Sequence, residues 1–339
     1  MFGQAFYALT LRCLQSESRA SRALGRGIGL LSPRLKRAVS IFSDPPVTVP
    51  LGKQRLRMPF SHNLPLYRGM YPSYDTALPR LGAFLGQAAR LKTIDVGANI
   101  GDSIALLNDE VPADFLAIEA DERFLPFLRE NAVTITRDGG STIVWEKCLL
   151  SDTGDGTPAP VELRPNAGNS GTSFIAEGGS ESDRVPVWTL DALVAAKHPA
   201  FKDVGLLKCD TDGYDFKVLR GASNLLANAR PALFFEFSPR HLRAVGEDPA
   251  SIFPFLARLG YLDSLIYSSL GDEVAALRTD DVRRIDELVA FALERRRYFD
   301  LLLFHDSERE RFALFREREF EQRPARARSS FPAGWSRPR

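Results

Sequence analysis

The sequence predicts a doubly wound α/β fold with a mostly parallel sheet and an N-terminal extension. Between residues 91 and 305, short apolar segments alternate with segments of helical spacing. The short segments are apolar at every position, which is typical of parallel strands covered on both faces. One of them ends in a glycine turn followed by a helix, and open α/β sheets bind ligands at such turns.

The strands and helices can be placed along the chain from these patterns. Strands are predicted over 93–96, 115–119, 141–150, 185–190, 204–209, 232–237, 260–267 and 301–304. Helices are predicted over 77–90, 104–107, 122–131, 216–228, 250–259 and 280–297. Residues 151–184 are rich in Gly, Ser, Pro and Asn, and they predict a long loop or a decorated hairpin.

Three regions follow from this pattern. Residues 1–70 are predicted to form a basic N-terminal extension with a connecting segment, in which the prolines of 43–60 indicate a small edge hairpin or an extended connection. Residues 71–306 form the α/β domain. Residues 307–339 are dominated by Glu and Arg, then by Arg, Pro and Ser, and they predict a charged, disordered tail.

The composition narrows the class of protein. The chain has 339 residues, with 44% hydrophobic, 26% charged and a formal net charge of +1. Such a balance gives no overall field to attract nucleic acid, so no nucleic-acid partner is expected. Three scattered cysteines without a CxxC pair indicate a reducing compartment, and we expect a cytoplasmic protein. Four histidines without HExxH or HxH spacing predict no metal site.

The first 40 residues differ from the rest in charge. They contain seven Arg and Lys residues against the single acid Glu17. This composition resembles a mitochondrial transit peptide or a helix that lies on a membrane surface. No apolar run reaches the roughly 20 residues needed to cross a bilayer. We interpret the segment as a helical extension of a cytoplasmic protein, with weak membrane-surface contact as the alternative.

The strongest local signal is the segment TIDVGANIGD at 93–102. Gly97 and Gly101 allow the backbone to approach a ligand closely, because they have no Cβ. The following helix begins with free N–H groups that can bind a carboxylate or a phosphate. Twenty-four residues after Asp95, Glu119 ends the next strand. An acid at that position can accept hydrogen bonds from both hydroxyls of a ribose.

The same loop separates two classes of nucleoside cofactor. It lacks the three glycines of the dinucleotide fingerprint GxGxxG. Asp95 would be unfavourable beside a pyrophosphate, yet it suits the ammonium or the sulfonium of a methionine moiety. The loop therefore favours an adenosyl cofactor, and a nicotinamide-dependent oxidoreductase is the less favoured alternative.

Four blocks in a fixed order carry a more specific signal. They are TIDVGANIGDS at 93–103, AIEADERFLPFLRENA at 117–132, VPVWTLDAL at 185–193, and LLKCDTDGYDFKVLRGASNLL at 206–226, which runs on to RPALFFEFSP at 230–239. LGY at 259–261 and LLLF at 301–304 follow. With these blocks the sequence resembles the FkbM family of methyltransferases over roughly residues 70–305.

The resemblance implies a seven-stranded, Rossmann-like class I methyltransferase fold, S-adenosylmethionine as methyl donor, and a hydroxyl oxygen of a sugar, glycolipid or polyketide-type molecule as acceptor. Gly97, Asn99 and Gly101 fall on the cofactor loop of the family, and Glu119 on its ribose-binding acid. Asp152 falls where such folds often reach the adenine.

The acceptor side is predicted at the ends of two later strands. Asp210 and Asp212 follow the strand that neighbours the cofactor strand, and they can act as a base, steer a hydroxyl or hold a cation. They could also merely cap the next helix. The family often has Glu at the positions of Asp212 and Asp215, so the reach of both side chains is shorter here. His241 has the titration range of a general base, and Glu236 precedes it at a strand end.

Other functions stay open. A protein with this fold but no activity, acting as a binding scaffold, would fit if the substitutions at 212 and 215 blocked the acceptor pocket. Nucleic-acid methylation finds support only in the basic segment 1–40. Residues 169–173, Asn-Ser-Gly-Thr-Ser, predict either a lid over the acceptor or a solvent loop.

Overall fold

A computed structural model of the protein describes residues 2–40, 44–137, 140–165, 170–174, 184–271, 274–321 and 335. Its helices are α1 (Phe2–Leu14), α2 (Arg19–Ser40), α3 (Leu64–Met70), α4 (Ala77–Leu85), α5 (Asp102–Leu107), α6 (Leu125–Thr136), α7 (Leu190–Lys197), α8 (Asp215–Arg220), α9 (Ser223–Asn228), α10 (Pro239–Ala244), α11 (Ile252–Arg258), α12 (Val282–Arg295) and α13 (Arg309–Glu321). Its strands are β1 (Pro46–Leu51), β2 (Gln54–Pro59), β3 (Leu91–Val96), β4 (Ala113–Ile118), β5 (Thr142–Glu146), β6 (Leu149–Leu150), β7 (Asp155–Pro165), β8 (Ser170–Phe174), β9 (Arg184–Trp188), β10 (Leu206–Cys209), β11 (Ala232–Phe237), β12 (Asp263–Ser268), β13 (Val274–Arg278) and β14 (Phe299–Leu303).

The central sheet confirms the predicted fold class. Its strand order is β13-β12-β14-β11-β10-β3-β4-β5. The five strands from β11 to β5 are parallel, and at the other edge β14, β12 and β13 each pair with their neighbours in antiparallel fashion. Because β3, β4, β10 and β11 point the same way, their carboxyl ends meet at one edge of the sheet.

Helices cover both faces of this sheet, and successive strand residues divide between two apolar clusters. Phe115 and Leu206 belong to the cluster beneath α4, α5 and α6, whereas their neighbours Leu116 and Leu207 belong to the cluster beneath α7 to α12. This alternation explains why the strands are apolar at every position.

The structure adds details that the patterns did not contain. The described sheet has eight strands, one more than the resemblance implied, because β13 pairs with β12 at the edge. The strand predicted over 141–150 divides into β5 and β6, and β6 joins the smaller sheet β6-β9-β7-β8. The predicted decorated hairpin contains β7 and β8, while residues 166–169 and 175–183 lie outside the described residues.

The N-terminal segment packs into the domain. The hydroxyl of the buried Tyr7 in α1 donates to the carbonyl oxygens of Phe60 and His62 at 2.8 and 2.6 Å. The predicted hairpin consists of β1 and β2, and Asn131 of α6 bonds both the N–H and the carbonyl of Arg57 in β2. Described residues of α1 and of the hairpin therefore belong to the core of the domain. No helix in the described part of the chain is long and apolar enough to span a membrane.

The C-terminal segment differs from its prediction up to residue 321. Helix α13 buries Phe312 and Phe315 against Phe84 and Phe304, so this part of the expected disordered tail is packed. The buried Glu319 accepts hydrogen bonds from Arg80 at 2.5 and 2.7 Å. Because most residues of this helix are charged, its composition alone did not predict that a few apolar residues would be buried. Beyond 321 only Trp335 is among the described residues.

Phe315→Ala is expected to lower the free energy of unfolding by about 3–5 kcal/mol, because it empties a buried aromatic position. Leu314→Ala, at the preceding residue of the same helix, is the control. Because Leu314 is 54% exposed, this substitution should lower the free energy of unfolding by about 0.5 kcal/mol or less. Urea unfolding of both variants measures the difference. Equal small effects would show that α13 is not packed on the domain in solution.

Candidate functional site

A cleft opens where the carboxyl ends of β3, β4, β10 and β11 meet. Its volume is about 340 Å³, within the range of small-molecule sites. Residues of the loops after these strands form its floor, and residues 62–78 and 298–300 form one wall. The predicted site residues Gly97, Asn99, Glu119, Asp210, Asp212 and His241 all line it.

The loop after β3 is bent sharply. The φ angles of Gly97, Asn99 and Gly101 are +76°, +49° and +85°, a region that most residues avoid. A Cβ on Gly97 would lie 1.9 Å from the carbonyl oxygen of Asp210. Only glycine therefore lets this loop pass the end of β10. The close approach places the loop after β3 directly against the loop after β10.

Glu119 lies at the end of β4, where the sequence placed it. Its carboxylate oxygens accept hydrogen bonds from the backbone N–H groups of Asn99 and Asp121, both at 2.7 Å. Burial raises the pKa of Glu119 to about 7, and these two N–H groups oppose the shift. Each oxygen keeps a further lone pair for a ligand. Glu119 thus shapes the cofactor loop and can accept hydrogen bonds from a diol.

His62 is a site residue that the sequence analysis missed. Its Nδ1 accepts from the N–H of Leu64 at 3.3 Å, so Nε2 carries the proton and donates to Oδ1 of Asn99 at 3.2 Å. His62 is buried and lines the cleft beside the cofactor loop. It lies between the hairpin and α3 without a motif around it, so the sequence offered no signal for this contact.

Asp95 and Lys208 form a buried ion pair beneath the loop. The carboxylate of Asp95 is fully buried, accepts from the hydroxyl of Ser103 at 2.7 Å, and lies 3.1 Å from Nζ of Lys208. Neighbouring carboxylates raise the pKa of Lys208 although its burial opposes this, so the ammonium stays charged. Asp95, predicted to bind the cofactor, is not among the residues that line the cleft. Its contacts support the loop from below.

Asp152, predicted to reach the adenine, pairs with a side chain outside the cleft lining. Its carboxylate lies 3.4 Å from the guanidinium of Arg220, and it is not among the residues that line the cleft. The apolar residues Leu149 and Leu150 line the cleft at this place. The adenine contact of Asp152 stays a prediction, with Leu149 and Leu150 closer to the cavity.

The turn after β10 is held by its own side chains. Asp212 has a φ of +51° and Gly213 a φ of +107°. The buried carboxylate of Asp215 accepts from the N–H groups of Thr211 and Gly213 at 3.3 and 3.2 Å. Asp215 therefore stabilises the turn. It is not among the residues that line the cleft, so the Asp in place of the Glu that the family often has here does not change the cleft lining.

Three side chains from separate elements meet at the end of the cleft formed by β10, β11 and α10. Nδ1 of His241 in α10 lies 3.2 Å from Oε1 of Glu236 in β11 and 3.7 Å from Oδ1 of Asp212. One donor atom from each residue lies within 4.8 Å of the other two. The sequence analysis predicted no metal site, because residues 212, 236 and 241 have no recognisable spacing. Only the fold brings them together.

The cleft is lined by many acidic side chains. Its described carboxyl groups belong to Asp75, Asp102, Glu119, Asp210, Asp212, Glu236 and Asp300. The ammonium of Lys208 is the one Lys or Arg group among the described lining residues, and it is paired with Asp95. Such a lining favours a ligand with positive charge or many hydroxyl donors. Tyr67 and Tyr74 stack at 5.7 Å on the wall formed by residues 62–78, and Tyr298 lies on the same cleft.

These buried acids predict how stability depends on pH. Burial raises the pKa of Asp75 to about 7 and that of Asp215 to about 6. The folded protein then binds protons more tightly than the unfolded chain, whose carboxyls titrate near about 4. The stabilisation is complete below about pH 4 and is lost as the pH rises through about 7. The melting temperature should therefore fall by roughly 5 °C or more between pH 5 and pH 8.

Differential scanning calorimetry across this pH range measures the effect. Asp75→Asn should flatten the pH profile, because an amide does not titrate. Asp155→Asn is the control, since Asp155 is exposed and the pKa of its carboxyl is lowered. A melting temperature that rises from pH 5 to pH 8 would contradict the burial of these acids.

The middle of the chain, which contains most of the residues that line the cleft, is similar to a known protein family. Residues 95–262 match the methyltransferase FkbM domain, about half of the chain. The crystal structure of an FkbM methyltransferase from Methylobacillus flagellatus KT is similar at 16% identity and a TM-score of 0.37, covering 63% of this chain and 44% of that one. This chain thus spans less than half of that protein. No curated protein matches the chain.

Two further solved structures are similar at comparable sequence identity and TM-score. A putative O-methyltransferase from Klebsiella pneumoniae is 14% identical with a TM-score of 0.37, covering 68% of this chain and 79% of that one. Magnesium protoporphyrin IX methyltransferase from Synechocystis PCC 6803, with bound S-adenosylmethionine, is 12% identical with a TM-score of 0.37, covering 71% and 83%.

Proposed function

Because residues 95–262 belong to the FkbM family of S-adenosylmethionine-dependent methyltransferases, we propose that this chain methylates a hydroxyl oxygen of a small-molecule or glycan acceptor, such as a sugar, a glycolipid or a polyketide. The observation that carries this proposal is the division of the cleft. Glu119 and the loop after β3 lie on one side, and Asp210, Asp212 and His241 lie on the other.

The residues on the first side fit the donor. Gly97 lets its loop pass against the carbonyl oxygen of Asp210 at the cleft, and Glu119 offers carboxylate oxygens to the ribose hydroxyls. The negative lining suits the sulfonium and the ammonium of S-adenosylmethionine. Pyrophosphate, in contrast, would meet Asp102 and Asp210 without a free lysine or arginine among the described lining residues. The cleft therefore favours the adenosyl donor over a nicotinamide dinucleotide.

The residues on the second side fit a polyhydroxylated acceptor. Carboxylates such as Asp75 and Asp300 accept hydrogen bonds from hydroxyl groups, and both lie on the cleft. Tyr67 is 41% exposed and stacks on Tyr74, which offers an aromatic surface to the apolar face of a ring. This combination of acids and aromatic rings supports a sugar-like acceptor.

The reaction needs an aligned acceptor oxygen and a place for its proton. When bound, S-adenosylmethionine supplies an electrophilic methyl group. Asp210 has a half-exposed side chain at the end of β10, between the loop after β3 and His241. It is the group we assign to accept the hydroxyl proton, while Asp212 and His241 hold the oxygen in line. The apolar side chains of Leu149, Leu150 and Phe234 restrict water in the cleft.

Titration calorimetry with S-adenosylhomocysteine tests the donor assignment, with NAD as the control ligand. We expect micromolar binding of the first and none of the second. Acceptors are then screened with radiolabelled S-adenosylmethionine, and the product is examined by NMR for an O-methyl signal. Binding of neither ligand would refute the methyltransferase activity and favour a scaffold with this fold. A product methylated on nitrogen or carbon would refute the oxygen acceptor.

A further inference from the structure

Asp212, Glu236 and His241 come from three different elements, yet their polar atoms converge. Asp212 lies in the turn before α8, Glu236 near the end of β11, and His241 in α10. Nδ1 of His241 is 3.2 Å from Oε1 of Glu236 and 3.7 Å from Oδ1 of Asp212. Ligand atoms bound to one cation at about 2.1 Å lie about 3–4 Å apart. The two distances from His241 thus match those between neighbouring ligands, and the carboxylate oxygens of Asp212 and Glu236 lie within 4.8 Å of each other.

The backbone fixes two of these side chains relative to each other. The turn at Gly213 packs directly on α10, because a Cβ on Gly213 would lie 2.8 Å from the carbonyl carbon of His241. Asp215 holds the same turn through two backbone N–H groups. The spacing between Asp212 and His241 is therefore set by tight backbone packing and does not depend on flexible loops.

The charges around the three residues call for a cation. The side chain of Glu236 is 10% exposed and that of Asp212 is 15% exposed. Asp210 and Asp212 both lie close enough to Glu236 to repel it electrostatically. The ammonium of Lys208 lies 3.1 Å from Asp95 and is engaged there. His241 is 41% exposed, so the cluster keeps one side open to the cleft.

We propose that Asp212, Glu236 and His241 bind a divalent cation of the Mn²⁺ class and that the acceptor hydroxyl binds to this cation during methyl transfer. Two carboxylates and one imidazole form a mixed oxygen and nitrogen set, which suits Mn²⁺ and related divalent metals. The cation assignment rests on the three residues alone, whereas its role in methyl transfer rests on the proposed function.

The bound cation would act as a Lewis acid on the acceptor oxygen. The O–H bond breaks and its proton passes to Asp210, which lies outside the three ligands. The oxygen forms a bond to the methyl carbon as the bond from that carbon to the sulfonium sulfur breaks. The products are the methyl ether and neutral S-adenosylhomocysteine, so no oxidant or further reactant is needed.

The test uses the full chain after treatment with EDTA and removal of the chelator. Mn²⁺ is titrated into it by calorimetry, and free Mn²⁺ is followed by electron paramagnetic resonance. We expect one site per chain, with affinity reduced at least about tenfold in Asp212→Asn, Glu236→Gln and His241→Ala. His198→Ala is the matched control, because His198 lies 3.0 Å from Glu146 in a pair remote from the cleft.

Asp210→Asn is a second control, since it removes one negative charge from the same cleft without removing a proposed ligand. Its affinity for Mn²⁺ should fall less than in the three ligand variants. The proposal is overturned if the wild-type chain shows no saturable Mn²⁺ binding, or if the Asp210 and His198 variants lose binding as strongly as the three ligand variants. Circular dichroism verifies the fold of each variant.

Titration with S-adenosylhomocysteine on the same samples separates the two proposals. Donor binding without Mn²⁺ binding would refute the metal site and leave the methyltransferase activity standing. Mn²⁺ binding without donor binding would support the metal site and refute the proposed activity.

Discussion

Glu119→Gln is expected to weaken the binding of S-adenosylhomocysteine at pH 8 by at least about 100-fold. At this pH the carboxyl of Glu119 is mostly ionised, because its pKa is about 7. The substitution keeps the shape of the side chain but removes its charge. It also replaces one acceptor oxygen by an NH₂ group that faces the N–H of Asn99 or of Asp121.

Two effects add in this variant. A hydrogen bond to a charged group contributes about 1.5–3 kcal/mol, and a ribose diol would make two of them to Glu119. The NH₂ group of Gln also leaves the N–H of Asn99 or that of Asp121 without its acceptor. Because about 1.4 kcal/mol corresponds to a tenfold change in affinity, losing one ribose bond and weakening the other accounts for a decrease in affinity of about 100-fold.

Glu122→Gln is the matched control, three residues along the chain. Its side chain is 69% exposed and pairs with Lys147 at the surface. Calorimetry should give this variant the affinity of the wild type within about threefold, because exposed ion pairs contribute little. Wild-type affinity in Glu119→Gln as well would remove Glu119 from the donor site.

Lys208→Met is expected to destabilise the fold by about 3–5 kcal/mol, the second large effect. The substitution leaves the fully buried carboxylate of Asp95 without its cation, 3.1 Å away in the wild type. A buried charge without a partner is costly in the low-dielectric interior. Such a loss is a large part of the total stability of an ordinary domain.

Two further variants locate the cause of this destabilisation in urea unfolding. Lys208→Met combined with Asp95→Asn should recover most of the loss, because the uncompensated charge is gone. Lys92→Met breaks the more exposed pair with Asp203 on the same sheet and should cost about 1 kcal/mol or less. A double variant as unstable as the single one would show that Lys208 acts through packing alone.

The sequence predicts the position of the glycine loop and of Glu119 on the cleft, and it predicts the other residues of the cleft in part. The loop and Glu119 follow two successive strands of the strand–helix pattern, so local rules place both at the carboxyl ends of β3 and β4. Asp210 follows from strand order. His62 and Glu236 contribute through contacts between distant parts of the chain, and no local pattern encodes such contacts. The direction of Asp95 also escapes prediction, since strand alternation depends on which face the neighbouring helix covers.

The same limit applies to the edges of the domain. Helix α13 has a few apolar residues among many charges, and composition hides them. Strand β13 is short and lies at a sheet edge, where pairing with β12 decides its conformation. The fold class was nevertheless predictable, because it depends on repeated strand–helix alternation and not on any single element.

The lining of the cleft comes from two parts of the chain. Gly97, Glu119 and Asp210 lie within residues 95–262, whereas Tyr67, Tyr74, Asp75 and Asp300 lie outside this region. If the second set contacts the acceptor as proposed, selectivity for the acceptor can diverge between relatives while Glu119 and its loop stay constant. An exchange of residues 67–75, which leaves the contact of His62 with Asn99 in place, would then transfer part of the acceptor preference with the methyl donor unchanged.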